Sequence, residues 1–434
     1  MLYSMVECVG LVYFRHIEKR LLETAPVFNL SKKAQLSFCD ILNLNPSLKS
    51  KKGASPLDEH RIYTEKECIG TPGINYDRLT HSFQVLSLAT TNLKNYNKNP
   101  EIVEKVRVGA LLHDMDHTSF SHTLEGDGNI TPEQRAEKLI LKTEIADVLK
   151  DGGLDPEEIL DMVLHRTKEY EAEVIHGDVG VDRGAYVMMD TKRYFNEFYP
   201  TDSLEIFPNL FENVDGEACL PLMYDTESLC DEPVSLKAAW NLLKGRTRLF
   251  TYLYGSLNNR AATTLLRNAV QISLEERTIE DEDLFELYDV QLLSKLKQGS
   301  NKIRTLVENL ERGNLPLVKL DVNLISGSDI EYIKNLREKR DERLEIEEKI
   351  GEDVYIDITP LGTGPKGDMK VLLSDAEMNL EEACKLKNPR YDIARLRVEH
   401  TFNVNNRLVM FSYSKEDLQE KAIETLGINP LYDF

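Results

Sequence analysis

The sequence predicts a mainly α protein with a small α+β lobe at its C-terminal end, and three observations carry that prediction. Apolar residues recur at spacings of three and four: Phe83, Leu86, Ala89 and Leu93 in one segment, Val103, Val106, Ala110 and Leu112 in the next. Thr131-Pro132-Glu133-Gln134 places a hydroxyl at an N-cap and proline at the first helical position, which starts a helix there. Only past residue 352 does the period change to two, in Val354-Tyr-Ile-Asp-Ile and Arg407-Leu-Val-Met-Phe-Ser-Tyr.

In chain order, residues 1–60 are expected to form a surface segment before the main domain, with a basic patch at Lys49, Lys51 and Lys52 and the breaker run Gly53-Ala-Ser-Pro56. Residues 61–325 form the helical domain. Within it, 74–200 and 235–313 (the latter holding the single tryptophan, Trp240) are helical, and 201–234, with Pro200, Pro208, Pro221 and Pro233, is a loop. The third unit, 326–434, opens on a charge-dense stretch, 329–351, predicted to be one solvated helix. Two strands follow, with a turn at Gly362–Gly367 between them.

At 434 residues, 41% hydrophobic and 29% charged, the chain has room for two or three structural units around a sizeable core, which excludes disordered, collagenous and disulfide-framework classes. Six scattered cysteines without a CxxC predict reduced thiols. The N-terminal apolar run contains Glu7 and has its basic residues after it, the reverse of a signal peptide, and no run approaches 18 apolar residues. A cytoplasmic protein without a membrane partner is the expectation. Lys and Arg number 53 and Asp and Glu 74, a net charge of −21 that repels duplex nucleic acid and anionic lipid. An anionic substrate in a buried site stays compatible with it, because exposed charges are screened beyond roughly 8–10 Å.

Histidine placement is the first chemical signal. Six of nine lie between 81 and 176: His81, His113, His117, His122, His165 and His176. The run Leu111-Leu-His-Asp-Met-Asp-His-Thr-Ser-Phe-Ser-His122 packs three histidines and two aspartates just after an amphipathic stretch. Imidazole and carboxylate both offer lone pairs to a cation, and adjacent His113 and Asp114 can both do so where the backbone leaves a regular element. With His81 upstream and Asp182 downstream they make a four-ligand set drawn from three elements. Asp182, Tyr186 and Asp190, spaced by four, share one helix face, beside the apolar stripe Val181, Ala185 and Met188. His165 and His176 stand in or near charged sequence and are expected at the surface.

These strings resemble the HD-superfamily metal-dependent phosphohydrolases, and within them the dGTPase-like, deoxynucleoside-triphosphate triphosphohydrolase branch. The resemblance begins at Pro72-Gly73 and continues through Arg78-Leu-Thr-His81-Ser, Leu112-His-Asp-Met-Asp-His-Thr-Ser-Phe-Ser-His122 and Val181-Asp-Arg-Gly-Ala-Tyr-Val-Met-Met-Asp190. A fainter match runs from Arg246 through Tyr254 to Arg312-Gly-Asn-Leu315, so that roughly 70–320 is covered.

The resemblance implies a helical HD-domain core in which His81, His113, Asp114 and Asp182 hold one divalent metal ion (Mn, Fe, Mg or similar). It implies that His117 is the general acid, with His122 and Glu125 beside it, the latter standing where an Asp is typical. Arg78, Arg183 and Arg246 would meet phosphates, and Tyr186, Asp190 and Tyr254 would wall the sugar of a nucleotide. A homo-oligomer is implied as well, which the periodicity does not itself show.

Three departures stand out. Pro132 occupies the position of a family histidine and can move no proton, Gly255 replaces a glutamine, and Leu57-Asp-Glu-His-Arg-Ile-Tyr-Thr lacks the family's nucleotide-binding pattern. The expected reaction is hydrolysis of a dNTP to deoxynucleoside and tripolyphosphate. The alternatives are a nucleotide 5′-monophosphatase or phosphodiesterase on the same centre, and a catalytically weak nucleotide sensor.

Overall fold

A computed structural model describes residues 3–6, 10–33, 76–96, 99–125, 127–167, 169–195, 212–222, 233–324, 326–358, 364–372 and 377–428. The basic patch 49–52, the breaker run 53–56, Pro72-Gly73, Pro200, Pro208 and Gly362 lie outside the described residues.

The protein is mainly α, as its periodicity predicts. Two antiparallel helices, Arg78–Tyr96 and Pro100–Leu112, form the spine of the HD-like domain, and the helix Val181–Phe195 packs across the first. Asn99 caps the second helix by accepting from Glu101 N, with Pro100 at the first helical position. Thr131 starts the next, and its capping box with Gln134 satisfies two orphan N–H groups. Gly109 allows the second helix to touch the helix Pro156–Val163: a Cβ there would lie 2.3 Å from Met162 Cε. Val85, Leu86, Ala110, Leu111, Val181 and Met188 close the core between these elements.

In a second helical block, Val234–Arg248 packs into the main core through Leu236, Leu242 and Leu243, whereas Leu257–Glu275, Asp289–Leu296 and Asn301–Glu311 have their own apolar cluster around Leu265, Leu296, Ile303 and Leu306. Between its first two helices, Leu249–Tyr254 winds as a π-helix, a local widening common at functional sites. A third cluster, with Ile350, Leu408 and Met410, fills the C-terminal lobe. There Arg407–Ser412 is the central strand, antiparallel to both Leu317–Asn323 and Val354–Asp357. Among the described residues no helix is long and apolar enough to cross a membrane.

The structure corrects four expectations. Residues 10–33 are no surface segment: the short helix His16–Leu22 buries Ile17 and Leu21 in the main core, and Glu18 lies fully buried against Arg107. The stretch read as loop contains a hairpin, Glu212–Val214 with Glu217–Pro221, whose second strand pairs in parallel with Lys370–Leu372. The charged stretch 329–351 is two helices, Gly327–Glu338 and Arg340–Ile350, broken at Lys339, and one face of each is buried through Ile333, Leu336, Ile346 and Ile350. Leu317–Asn323, placed by sequence at the end of the helical domain, belongs to the C-terminal sheet.

Candidate metal centre and adjoining pocket

Three elements deliver four donor side chains to one point. His81 lies in the first turn of Arg78–Tyr96, and His113 and Asp114 stand where Pro100–Leu112 ends. Asp182 lies in the first turn of Val181–Phe195. His81 Nε2 is 3.0 Å from Asp182 Oδ1 and 3.3 Å from His113 Nε2, and 3.7 Å from Asp114 Oδ2. His113 Nε2 is 3.3 Å from Asp114 Oδ1 and 3.6 Å from Asp182 Oδ1. Ligand bonds of about 2.0–2.1 Å place neighbouring donors around one cation roughly 3.0–3.4 Å apart. His81, His113 and Asp114 group closely enough to hold a divalent ion, and Asp182 approaches it from the side of the two histidines. His113 Nδ1 lies 2.9 Å from the Ala110 carbonyl, which fixes the tautomer that turns the Nε2 lone pair toward the other donors. Burial works against ionisation of Asp114, but the charges of Arg78, His113 and His117 hold its carboxyl well below the usual range.

The loop after the centre is held from two sides. Phe120 and Ser121 both take positive φ, 57° and 54°, a conformation that costs energy in non-glycine residues. The second helical block holds them there: Leu284 and Leu287 carbonyls accept from Ser119, and Asp289 accepts from Phe120 N at 2.8 Å. From the N-terminal segment, buried Lys33 donates to the carbonyls of His117 (2.6 Å) and Phe285 (2.9 Å).

This loop brings His117 beside the centre. Its Nε2 is 3.1 Å from Asp114 Oδ1 and its Nδ1 2.7 Å from Glu125 Oε1. Burial and the Arg78 charge disfavour the imidazolium, but Asp114 and Glu125 outweigh them and raise its pKa to about 9. His122 Nδ1 meets the same Glu125 oxygen at 2.9 Å, with its ring edge-on to His117, yet its side chain is 70% exposed.

The remaining sequence candidates gather nearby, with partners the sequence did not reveal. Arg78 is 1% exposed; its NH1 donates to Asp114 Oδ2 at 2.7 Å and its Nε to Ser121 Oγ at 2.9 Å. The guanidinium expected on a phosphate thus holds a member of the ligand set. Arg183 NH1 donates to Gly177 O and to Asp178. Arg246 Nε donates to Tyr186 Oη at 3.0 Å, while its NH1 is buried without a partner among the described residues. Fully buried Asp190 accepts from Tyr76 (2.7 Å) and from Tyr254. Pro132 occupies the first position of its capped helix.

His165 is partly exposed, but His176 departs from the surface expectation: its ring lies 6.2 Å from that of His113, its Nε2 is buried, and burial together with the His113 charge lowers its pKa to about 4. Lys33, Tyr76 and Ser121 were missed. None belongs to a spacing pattern, and only the positions of Tyr76 and Ser121 beside the motif strings could have flagged them.

A helical spine with paired His-Asp donors at its ends defines a class. Residues 78–194 match the HD domain family, and residues 222–411 match the HD associated region, so the chain carries an HD domain followed by its associated region. Over 321 residues the chain is 27% identical to uncharacterized protein MJ1154 of Methanocaldococcus jannaschii, an alignment covering 73% of this chain and 66%, just under two thirds, of that protein. Among solved structures, a hypothetical protein from Aquifex aeolicus superposes with a TM-score of 0.66 at 19% identity, covering 98% of this chain and 99% of that one. A phosphohydrolase from Bacteroides thetaiotaomicron does so at 0.66 and 14% identity, covering 95% and 100%. At such identities both likenesses concern the fold.

Proposed function

We propose that the chain is a cytoplasmic metal-dependent phosphohydrolase of nucleotides and, more narrowly, that it cleaves a dNTP at the α-phosphate to give deoxynucleoside and tripolyphosphate. One observation carries this reading: His81 and His113 lie 3.3 Å apart, each within 3.0–3.7 Å of both Asp114 and Asp182, and His117 bridges Asp114 to Glu125. The phosphohydrolase fold neighbour supports the hydrolase class.

A divalent ion held by His81, His113, Asp114 and Asp182 would supply electrophilic activation and a bound water of lowered pKa. The chain's own residues do the rest. His117, raised to about 9, is charged at neutral pH, and Glu125 on its Nδ1 leaves the Nε2 proton as the one delivered to the leaving oxygen. Arg246, with NH1 unpartnered, offers a donor to the phosphates, and Arg183 stands beside it as the second cation. Tyr186, Tyr254 and Asp190 wall the sugar; a 3′-hydroxyl would exchange with one of the tyrosines now on Asp190, and the close aromatic wall disfavours a 2′-hydroxyl.

Pro132 favours a second reading, a weakly catalytic sensor, since the position of a family histidine is here part of a helix cap. Metal-loaded protein incubated with dNTPs, dNMPs and cyclic nucleotides tests both. Tripolyphosphate released from dNTPs is the expected product. Orthophosphate from dNMPs alone, or cleavage of cyclic nucleotides alone, would replace the triphosphohydrolase by the other reactions of the same centre. Thermal stabilisation by nucleotide with no turnover, and turnover gained in Pro132→His, would establish the sensor.

A further inference from the structure

Outside the metal centre the fold collects guanidinium groups at one place. On the helix Leu257–Glu275, Thr264, Arg267, Asn268 and Gln271 fall on one face, with Arg260 one turn earlier. Facing them are Arg337, Arg340 and Arg343 from the two charged helices and the strand end at Asp357. A pocket lies between, lined by Arg267, Gln271, Arg337, Arg343 and Asp357 among others, none of which belongs to the metal centre.

Most of these charges are answered inside the protein. Arg260 pairs with Asp357 at 2.6 Å, Arg267 grips both oxygens of Asp127, and Arg340 meets Gln271 and Glu275. Arg343 is the exception. Its side chain is 15% exposed, and it makes no hydrogen bond among the described residues; its ionic partner, Glu347, is 3.9 Å away. Glu347 Oε1 is already engaged by Ile356 N at 2.7 Å, and burial pushes that carboxyl up to about 7. Arg260 NH1 is also buried without a partner. Arg337 Nε donates to the Ile358 carbonyl at 2.6 Å, so among these guanidiniums Arg343 is the one without a hydrogen bond among the described residues, in a protein of net charge −21. Burial disfavours the charge on Arg343, and Arg267 and Arg340 add repulsion. A mostly buried guanidinium without a hydrogen-bond acceptor is costly unless an anion completes it.

We propose that this pocket binds a phosphate-bearing anion, gripped by the fork of Arg343. A tetrahedral phosphoryl group accepts from several guanidiniums at once, which a single added carboxylate does less well. The ligand would lie behind the Glu125 loop, because Asp127, two residues on, is anchored by Arg267 and Gln271 from the pocket wall. The inference stands apart from the hydrolase reading.

Calorimetric titration of the full chain in chelator, with orthophosphate, pyrophosphate and dGTP as separate probes, tests it. One equivalent should bind, at least about tenfold more weakly in Arg343→Gln, the loss expected for one charge-assisted hydrogen bond. Glu347→Gln, which removes the competing carboxylate, should tighten binding, a gain that damaged folding could not produce. Arg246→Gln in the proposed catalytic pocket should leave the Arg343-dependent binding of orthophosphate and pyrophosphate unchanged. Binding of the inorganic probes identifies a free anion as sufficient; binding of dGTP alone, with the same Arg343 dependence, identifies a nucleotide. Failure of all three probes to bind, or binding that Arg246→Gln abolishes and Arg343→Gln spares, overturns the proposal.

Discussion

Two buried guanidinium–carboxylate pairs in the HD domain and its N-terminal brace are built from the same groups and put to different use. Arg107 grips Glu18 with both forks, Nε to Oε1 at 2.5 Å and NH2 to Oε2 at 2.7 Å, and Arg15 N takes Oε2 as well. Both carboxylate oxygens are thus occupied by donors of the protein itself. Arg78 touches Asp114 once, NH1 to Oδ2 at 2.7 Å, which leaves Oδ1 3.3 Å from His113 Nε2 and 3.1 Å from His117 Nε2. A closed pair fixes two elements together; a half-open one orients a ligand and leaves it available. Removing each carboxylate should separate the two functions. Asp114→Ala is expected to bring metal content by elemental analysis from about one ion per chain to near zero and to cut hydrolysis more than about 100-fold, beyond what a supporting residue controls. Glu18→Ala should keep its metal per folded chain and lose about 3–5 kcal/mol in urea unfolding, the penalty for stranding a buried charge. Metal retained by Asp114→Ala would remove the distinction and the centre with it.

The cation side of the pairs sharpens the same contrast. Arg78 is no cation donor, but its bonds to Asp114 and Ser121 set the carboxylate's direction. Arg78→Gln should weaken metal affinity by about 10–100-fold, as loss of a supporting hydrogen bond does, measured by competition with a fluorescent chelator. Arg107→Gln should destabilise the fold and leave that affinity alone. Equal metal affinity in wild type and Arg78→Gln would return Arg78 to a purely substrate-side role.

The candidate metal donors were legible in sequence because the resemblance carried by the Arg78-Leu-Thr-His81, Leu112-His-Asp and Val181-Asp strings grouped them, which spacing alone does not do. Side-chain direction was not legible. Chain order places Arg78 near His81 but does not say that its guanidinium turns to Asp114, and the partners of Asp190 include Tyr76, which belongs to no periodic face. In the fold, helical periodicity identified the long helices, whereas pairing-dependent elements escaped. The strand Leu317–Asn323 has exposed Leu317 and Val318 and a bulge before Leu320, so its alternation is broken. The hairpin 212–221 is too short to show a period. Tertiary packing, not local pattern, buried the helix 16–22, whose polar His16, Glu18, Lys19 and Arg20 look like solvent residues.

A third buried cation extends the comparison to a site with no carboxylate in contact. Among the described residues the Lys33 ammonium is held by the carbonyls of His117 and Phe285, and burial, with Arg135 and Arg78 adding repulsion that Asp289 and Asp116 only partly offset, lowers its pKa from 10.5 to about 7. Between those two values the unfolded chain binds a proton that the folded chain does not, so the Lys33 contribution to stability rises with pH above 7 and levels off near 10.5. The carbonyl bonds persist with a neutral amine, which still donates two hydrogens. Lys33→Met removes the titrating group along with those bonds. The stability difference between wild type and Lys33→Met, from urea unfolding, should therefore widen by on the order of 1–2 kcal/mol from pH 7 to pH 9, since other titrations cancel in the difference. A difference that stays level or narrows over that range would mean that the Lys33 ammonium is compensated in the fold as fully as Arg107 is by Glu18.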